Sequence, residues 1–313
     1  MLIYYADHFV LPLPPGHRFP MRKYAALRER VASFAGDLLR VAPAATEAEL
    51  ARAHDPAYIA AVCAGTLDAR ALRRIGFPWS PELVERSRRS AGATLAACRS
   101  ALATGFGVSL AGGTHHAHRD CGEGFCVFND AAVAARALQA EGLAARVLVV
   151  DLDVHQGDGT AAIFAGDASV FTFSMHGRGN FPFRKCASDL DVELADGTGD
   201  APYLAALAAA LPRALARAAP DLAIYLAGAD PYAGDRLGKL ALSKAGLAER
   251  DRHVLATLRD AGLPVAIAMA GGYAEAIDDI VDIHGATVAI AFERWRREGA
   301  RAGQPRGRAR AAC

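Results

Sequence analysis

Cysteine is scarce in this sequence, and the cysteines it has do not pair. The six, at positions 63, 98, 121, 126, 186 and 313, make no CxxC motif and no disulfide-like spacing. That excludes a small disulfide-stapled scaffold. An excess of charge of one sign is also missing: 35 Lys plus Arg stand against 34 Asp plus Glu, a net charge of +1. Whole-chain electrostatics therefore give no case for specific nucleic-acid binding or for attachment to a membrane surface. No apolar run reaches the ~18 residues of a membrane span. The Ala-rich stretch 203–219 comes nearest, and Arg213 and Arg217 interrupt it. The start Met1-Leu2-Ile3-Tyr4-Tyr5-Ala6-Asp7 lacks the basic and apolar regions of a secretory signal. No GxxxxGK[ST] phosphate loop, internal repeat or long linker occurs. A soluble cytoplasmic protein is expected, with one domain over residues 1–298 and a flexible basic tail over 299–313.

What is present is a globular composition, 52% hydrophobic and 22% charged. Short apolar runs read as strands at Leu2–Tyr5, Gly107–Leu110, Arg146–Val150, Val170–Phe173, Leu222–Leu226 and Val265–Met269. Stretches of helical period lie between them, near 22–38, 46–63, 81–103, 130–141, 201–218, 244–261 and 275–297. Continuous apolar strands alternating with amphipathic helices predict a parallel sheet covered on both faces. The Pro-rich segment 11–20 reads as an ordered loop.

Four polar clusters follow four of these strands. In open parallel sheets the ligand crevice forms at the strands' C-terminal ends, so residues distant in sequence can meet there. The first cluster is Gly112-Gly113-Thr114-His115-His116-Ala117-His118-Arg119-Asp120, where two glycines deliver adjacent imidazoles. The second is Asp151-Leu152-Asp153-Val154-His155-Gln156-Gly157-Asp158-Gly159. Asp153 and His155, two apart on an extended segment, point the same way and can share a metal ion; Asp151 falls on the same alternation. The third delivers Asp230, and the fourth delivers Tyr273 behind Gly271-Gly272. Asp153, His155 and Asp230 make three ligands with positions left open, the layout of a hydrolytic metal centre. Two carboxylates and one imidazole suit zinc, and iron(II) as well. An Asp following a strand is also a common helix N-cap, which is the plainer reading of Asp230 taken alone. A zinc-finger-like group of His115, His118, Cys121 and Cys126 lacks a partner pair elsewhere in the chain. His8, His54, His253 and His284 read as surface or packing residues, and His17 as loop structure or the rim of the site.

These residues resemble the histone deacetylase family. The resemblance rests on Gly113-Thr114-His115-His116, Gly124-Phe125-Cys126, Asn129-Asp130, Asp151-x-Asp153-x-His155-x-Gly157-x-Gly159, Gly228-Ala229-Asp230 and Gly272-Tyr273, in the family's order. Gly234-Asp235-Arg236-Leu237-Gly238, Leu242–Leu247 with Arg250-Asp251, His17–Met21 and His54–Tyr58 look most like the class IV branch. The resemblance implies the arginase/deacetylase fold: a single three-layer α/β/α domain with a central, mainly parallel sheet of about eight strands. The implied activity is zinc-dependent hydrolysis of an N-acyl lysine amide, acetyl or longer. By motif position Asp153, His155 and Asp230 correspond to the zinc ligands. His115 and His116 correspond to the paired active-site histidines, with Asp151 and Asp158 as their respective carboxylate partners. Tyr273 corresponds to the tyrosine that faces the metal. Gly124, Phe125, Cys126 and Phe181 would line the acyl tunnel. A structural potassium ion would lie beside Asp151, the carbonyls of Asp153 and His155, Ser174 and the carbonyl of Met175. The substrate is an acylated lysine peptide or a small acylated amine such as an acetylpolyamine. A non-catalytic acyl-ligand sensor on the same fold is the reading from a different class. The sequence leaves the oligomeric state open.

Overall fold

The computed structural model describes residues 1–302. Its strands are β1 Leu2–Tyr5, β2 Leu39–Val41, β3 Phe106–Ser109, β4 Val147–Asp151, β5 Val170–Gly177, β6 Leu190–Leu194, β7 Leu222–Leu226 and β8 Val265–Ala268. They form one sheet in the order β2-β1-β3-β8-β7-β4-β5-β6, and every neighbouring pair is parallel. The helices are α1 Arg22–Ala35, α2 Glu47–Leu50, α3 Pro56–Ala64, α4 Ala69–Ile75, α5 Pro81–Thr104, α6 Asp130–Ala140, α7 Asp158–Ile163, α8 Asp200–Ala218, α9 Lys244–Asp260 and α10 Ile277–Ala302.

The period-2 alternation of the central strands divides the core between two faces. Leu148 and Val150 of β4 join Leu27 and Val31 of α1, Leu207 and Leu211 of α8, Val254 of α9 and Ile280 of α10 on one side. Val147 and Val149 join Ile59 and Val62 of α3, Leu95 of α5 and Val133 and Leu138 of α6 on the other. The central strands β3, β4, β7 and β8 are buried along their whole length, which is why they read as continuous apolar runs. Because all strands run parallel, the loops after β3, β4, β7 and β8 leave the sheet at the same edge.

The sheet also contains strands that the apolar pattern misses. β2 and β6 occupy its two edges and carry partly exposed residues, Leu-Arg-Val and Leu-Asp-Val-Glu-Leu. Strand β5 runs on past Phe173 through Ser174-Met175-His176, all buried. The single helix expected over 46–63 is broken in two. Asp55 caps α3 by accepting a hydrogen bond from the Ala57 N–H, and Pro56 opens that helix, so α2 cannot continue through it. The last helix extends to Ala302, so the expected tail boundary at 299 falls inside it; residues 303–313 lie outside the described residues.

Candidate active site

The loop after β3 carries the two imidazoles, and the motif Asn129-Asp130 at the start of α6 shapes it. Asp130 accepts hydrogen bonds from the N–H groups of Gly113 (2.9 Å) and Thr114 (2.7 Å), and the Asn129 amide donates to the Ala117 carbonyl (3.1 Å). Buried His54 ties the same loop from a third side. Its Nδ1 bonds the His118 carbonyl at 3.0 Å, and its Nε2 accepts from the Asn129 N–H at 2.8 Å. Held this way, the His115 and His116 rings lie 4.2 Å apart and face separate carboxylates. His115 Nδ1 is 2.6 Å from Asp151 Oδ2, and His116 Nδ1 is 2.6 Å from Asp158 Oδ1.

The two histidines differ electrostatically. Burial works against a charge on His115, but the Asp151 and Asp153 carboxylates overcome it and raise its pKa to about 9. Burial and the neighbouring His115 charge push His116 down to about 4, against the pull of Asp158. Near neutrality one imidazole is a cation and the other a base. Burial opposes ionisation of Asp158 too, yet bonds from His116 and His118 hold it well below the usual carboxylate range.

Asp153, His155 and Asp230 converge from the β4 and β7 loops, with donor atoms all within 4.8 Å of one another. His155 Nδ1 lies 2.9 Å from Asp153 Oδ1 and 3.3 Å from Asp230 Oδ2. All three are buried, and Asp230 Oδ2 has no hydrogen-bond donor. Gly271 closes over them: a Cβ there would sit 1.9 Å from Asp230 Oδ2 and 2.6 Å from Asp153 Oδ2, so only glycine fits. Its N–H donates to Asp153 Oδ2 at 2.7 Å. The donor set, its orphaned carboxylate oxygen and its glycine cradle fit a divalent cation. Asp230 is thus one of this group rather than a helix cap. Among the described residues no cysteine belongs to a group with metal-binding spacing, so the finger-like arrangement is not formed.

Tyr273 is oriented through its backbone. Asp235 accepts from its N–H at 2.6 Å, and Arg236 Nε donates to its carbonyl at 2.9 Å. Phe125 stands at the tip of the turn 123–126, with positive φ at both Gly124 and Phe125, the requirement of a type I′ turn. The turn is pinned by the Phe125 N–H to the Ile75 carbonyl at 2.7 Å. Phe181 faces the His116 ring edge-on at 4.9 Å, in a loop anchored by Gln156, whose side chain bonds both the N–H and the carbonyl of Cys186. Gly124, Phe125, Cys126 and Phe181 line a cavity of about 530 Å³ that also contacts Asp153, His155, His115, His116 and Tyr273. Ser174 lies opposite Asp151 in the register of β4 and β5, and Met175 is fully buried beside it. His17 is loop structure: Nε2 bonds the Gly76 carbonyl and Nδ1 accepts from the Phe19 N–H.

Several further side chains serve this site. Asp235 orients Tyr273, and fully buried Arg250 donates to the carbonyls of Leu152 (3.3 Å) and Gly228 (2.6 Å), joining the two loops that carry the carboxylate ligands. Lys23 and Arg86 also line the cavity. Asp235 and Arg250 stand inside the segments that carry the class IV resemblance, which is a signal in the sequence; nothing local marks Lys23 or Arg86.

The histone deacetylase domain matches residues 17–288. An uncharacterised protein of Picosynechococcus sp. is 46% identical over 286 residues, 90% of this chain and 95% of that protein. A histone deacetylase-like amidohydrolase of Pseudomonas aeruginosa is 33% identical over 264 residues, 76% of this chain and 67% of that one. The crystal structure of an acetylpolyamine aminohydrolase from Burkholderia pseudomallei superposes with a TM-score of 0.72 at 25% identity, over 93% of this chain and 98% of that chain. The chain belongs to the histone deacetylase family of the arginase/deacetylase superfamily and is a hydrolase.

Proposed function

We propose that the protein hydrolyses N-acyl lysine amides at a divalent metal, zinc in the first instance, held by Asp153, His155 and Asp230. The observation that carries this reading is the meeting of a buried three-ligand group with two carboxylate-backed imidazoles at an aromatic-walled cavity. When bound, the ion supplies Lewis acidity toward the amide carbonyl and makes a water more acidic. The remaining work falls to the chain. The His116 Nδ1–H donates a hydrogen bond to the Asp158 carboxylate, which leaves Nε2 with the free lone pair. That nitrogen takes a proton from water and returns it to the departing amine, as general base and then general acid. His115, kept cationic by Asp151, stabilises negative charge building nearby. The Tyr273 hydroxyl donates to the oxygen of the tetrahedral intermediate. Phe125 and Phe181 sheath the lysine stem and exclude water. A monovalent cation, potassium, beside Asp151 and Ser174 and the carbonyls of Asp153, His155 and Met175 belongs to the same reading.

Lysine peptides are favoured over polyamines by the charges on the cavity wall. Arg74 and Lys239 of its exposed lining pair with Glu123 and Asp196, which leaves Arg18 and the buried Lys23 and Arg86 as its unpaired basic residues, a sign that repels a polycation. The test is release of free amine from an acetyl-lysine peptide by zinc-loaded protein, with Tyr273→Phe as control. Losing one oxyanion donor is expected to slow turnover by roughly 10²–10³ while zinc stays bound. Near-normal turnover in a zinc-replete Tyr273→Phe protein removes Tyr273 from this role. Bound zinc with no turnover of any acylated amine overturns the reading and favours an acyl-ligand sensor.

A further inference from the structure

Two cations on the buried part of the cavity wall have no counter-ion. Lys23 is 3% exposed and Arg86 8%, and both line the cavity that Tyr273 and the metal-ligand group open into. Lys23 Nζ donates to the Gly272 carbonyl at 3.1 Å and otherwise faces aromatic rings: Tyr273 at 5.2 Å, Tyr24 at 5.3 Å and Phe19 at 5.7 Å from the ring centres. The Arg86 guanidinium lies 4.2 Å from the centre of the same Tyr24 ring. Among the described residues neither cation forms an ion pair, and the Arg86 side chain makes no hydrogen bond. Elsewhere the chain pairs its buried guanidinium: Arg250, fully buried, binds Asp251 and two carbonyls. An unpaired buried charge is costly, and a guanidinium left with free donors beside an accessible cavity is a binding site for an anion.

Which part of a substrate reaches them follows from size. A peptide must stay outside, so its lysine stem enters between Phe125 and Phe181, with exposed Phe183 packed beside Phe181. The acyl half then points past Tyr273 toward the buried lining. A plain hydrocarbon tail placed there would strip water from two cations and return nothing. A carboxylate at the end of the acyl chain would instead meet two positive charges and accept charge-assisted hydrogen bonds from the free Arg86 donors.

We propose that Lys23 and Arg86 form an acyl-carboxylate subsite, and that the preferred substrate is the monoamide of a dicarboxylic acid, its acyl group of succinyl or glutaryl type. This rests on the amidohydrolase reading above. Water adds across the amide, the C–N bond breaks, the amine leaves with a proton, and a free dicarboxylic acid remains. The experiment compares one peptide carrying Nε-succinyl-, Nε-glutaryl-, Nε-butyryl- or Nε-acetyl-lysine. Zinc-loaded wild type is assayed for kcat/KM, and zinc-loaded Tyr273→Phe for affinity by calorimetry. Succinyl or glutaryl is expected to exceed butyryl by about tenfold or more in both measurements. Arg86→Gln is expected to erase most of that ratio, and Arg86→Lys to keep part of it. Butyryl equal to or better than succinyl in both turnover and binding overturns the subsite. So does an Arg86→Gln protein that slows acetyl and succinyl peptides alike, which would mark Arg86 as serving the common product carboxylate or the fold. Tyr273-dependent cleavage of acetyl-lysine with no preference for a charged acyl group sinks the subsite and leaves the amidohydrolase standing. Failure on every acyl-lysine, in binding and in turnover, sinks both.

Discussion

The difference between His115 and His116 is made by their neighbours, because the two side chains are chemically identical and adjacent. Two carboxylates surround His115, while His116 has one carboxylate and a cationic neighbour. Replacing His115 with Gln removes a positive charge that depresses His116. The His116 pKa is therefore expected to rise above about 4 in metal-free protein, toward the ordinary imidazole value. Imidazole NMR titration reads this directly, and an unchanged His116 midpoint would refute the coupling. Asp151 was legible as a candidate because it stands in an Asp-x-Asp-x-His run after a strand, and Asp158, beyond the turn at Gly157, through the family resemblance. Asp235 was not singled out as a functional residue, since its bond is to the backbone of Tyr273, 38 residues away.

Between elements, much of the site depends on a few buried polar bridges. His54, just before α3, bonds both the imidazole-bearing loop and the N-cap of α6, and burial pushes its pKa down to about 4. The sign follows from linkage. The folded state refuses a proton that the unfolded chain takes up near pH 6.5, so this contribution is intact above that pH and is lost as pH falls toward 4. It amounts to about 2 kcal/mol between pH 7 and pH 5. Denaturant unfolding of wild type against His54→Gln is expected to show a shallower acid loss in the variant, together with lower stability at pH 7 from the two broken bonds. Parallel acid profiles for the two proteins would exclude His54 as a source of the dependence. The central strands and the long helices were readable from apolar period alone. The edge strands β2 and β6 were not, because a strand with one neighbour and partial exposure carries no continuous apolar run. The split of α2 from α3 was written in Asp55-Pro56 all the same.

At the scale of the whole molecule, the β4, β7 and β8 loops meet around a group of two buried carboxylates and an imidazole. Without an ion, His155 is held near pKa 10: burial works against its charge, and Asp153 and Asp230 outweigh burial. Burial and the Asp153 charge lift Asp230 to about 7. A divalent ion must therefore displace at least the His155 proton at neutral pH, and its affinity is expected to climb with pH between 6 and 9. Calorimetry in buffers of different ionisation enthalpy counts the protons released; a buffer-independent enthalpy would contradict this protonation state. Zinc at a hundredfold its Kd is expected to add about 2.7 kcal/mol to stability, seen as a rise in Tm, and Asp230→Ala to abolish that rise.

Which chemistry is available, and at which end of the sheet it lies, is written locally in the chain. Strand pattern is local, and in a parallel sheet every residue just past a strand is delivered to one edge, so Asp153, His155, Asp230 and Tyr273 could be grouped without coordinates. How the remaining polar groups pair is set by long-range packing. Lys23 comes to lie on Tyr273, 250 positions further along, and Arg250 to join the loops of β4 and β7, because sheet order and helix packing set those distances. Whether a buried charge is satisfied or left open for a ligand depends on such long-range neighbours, and no window of sequence contains them.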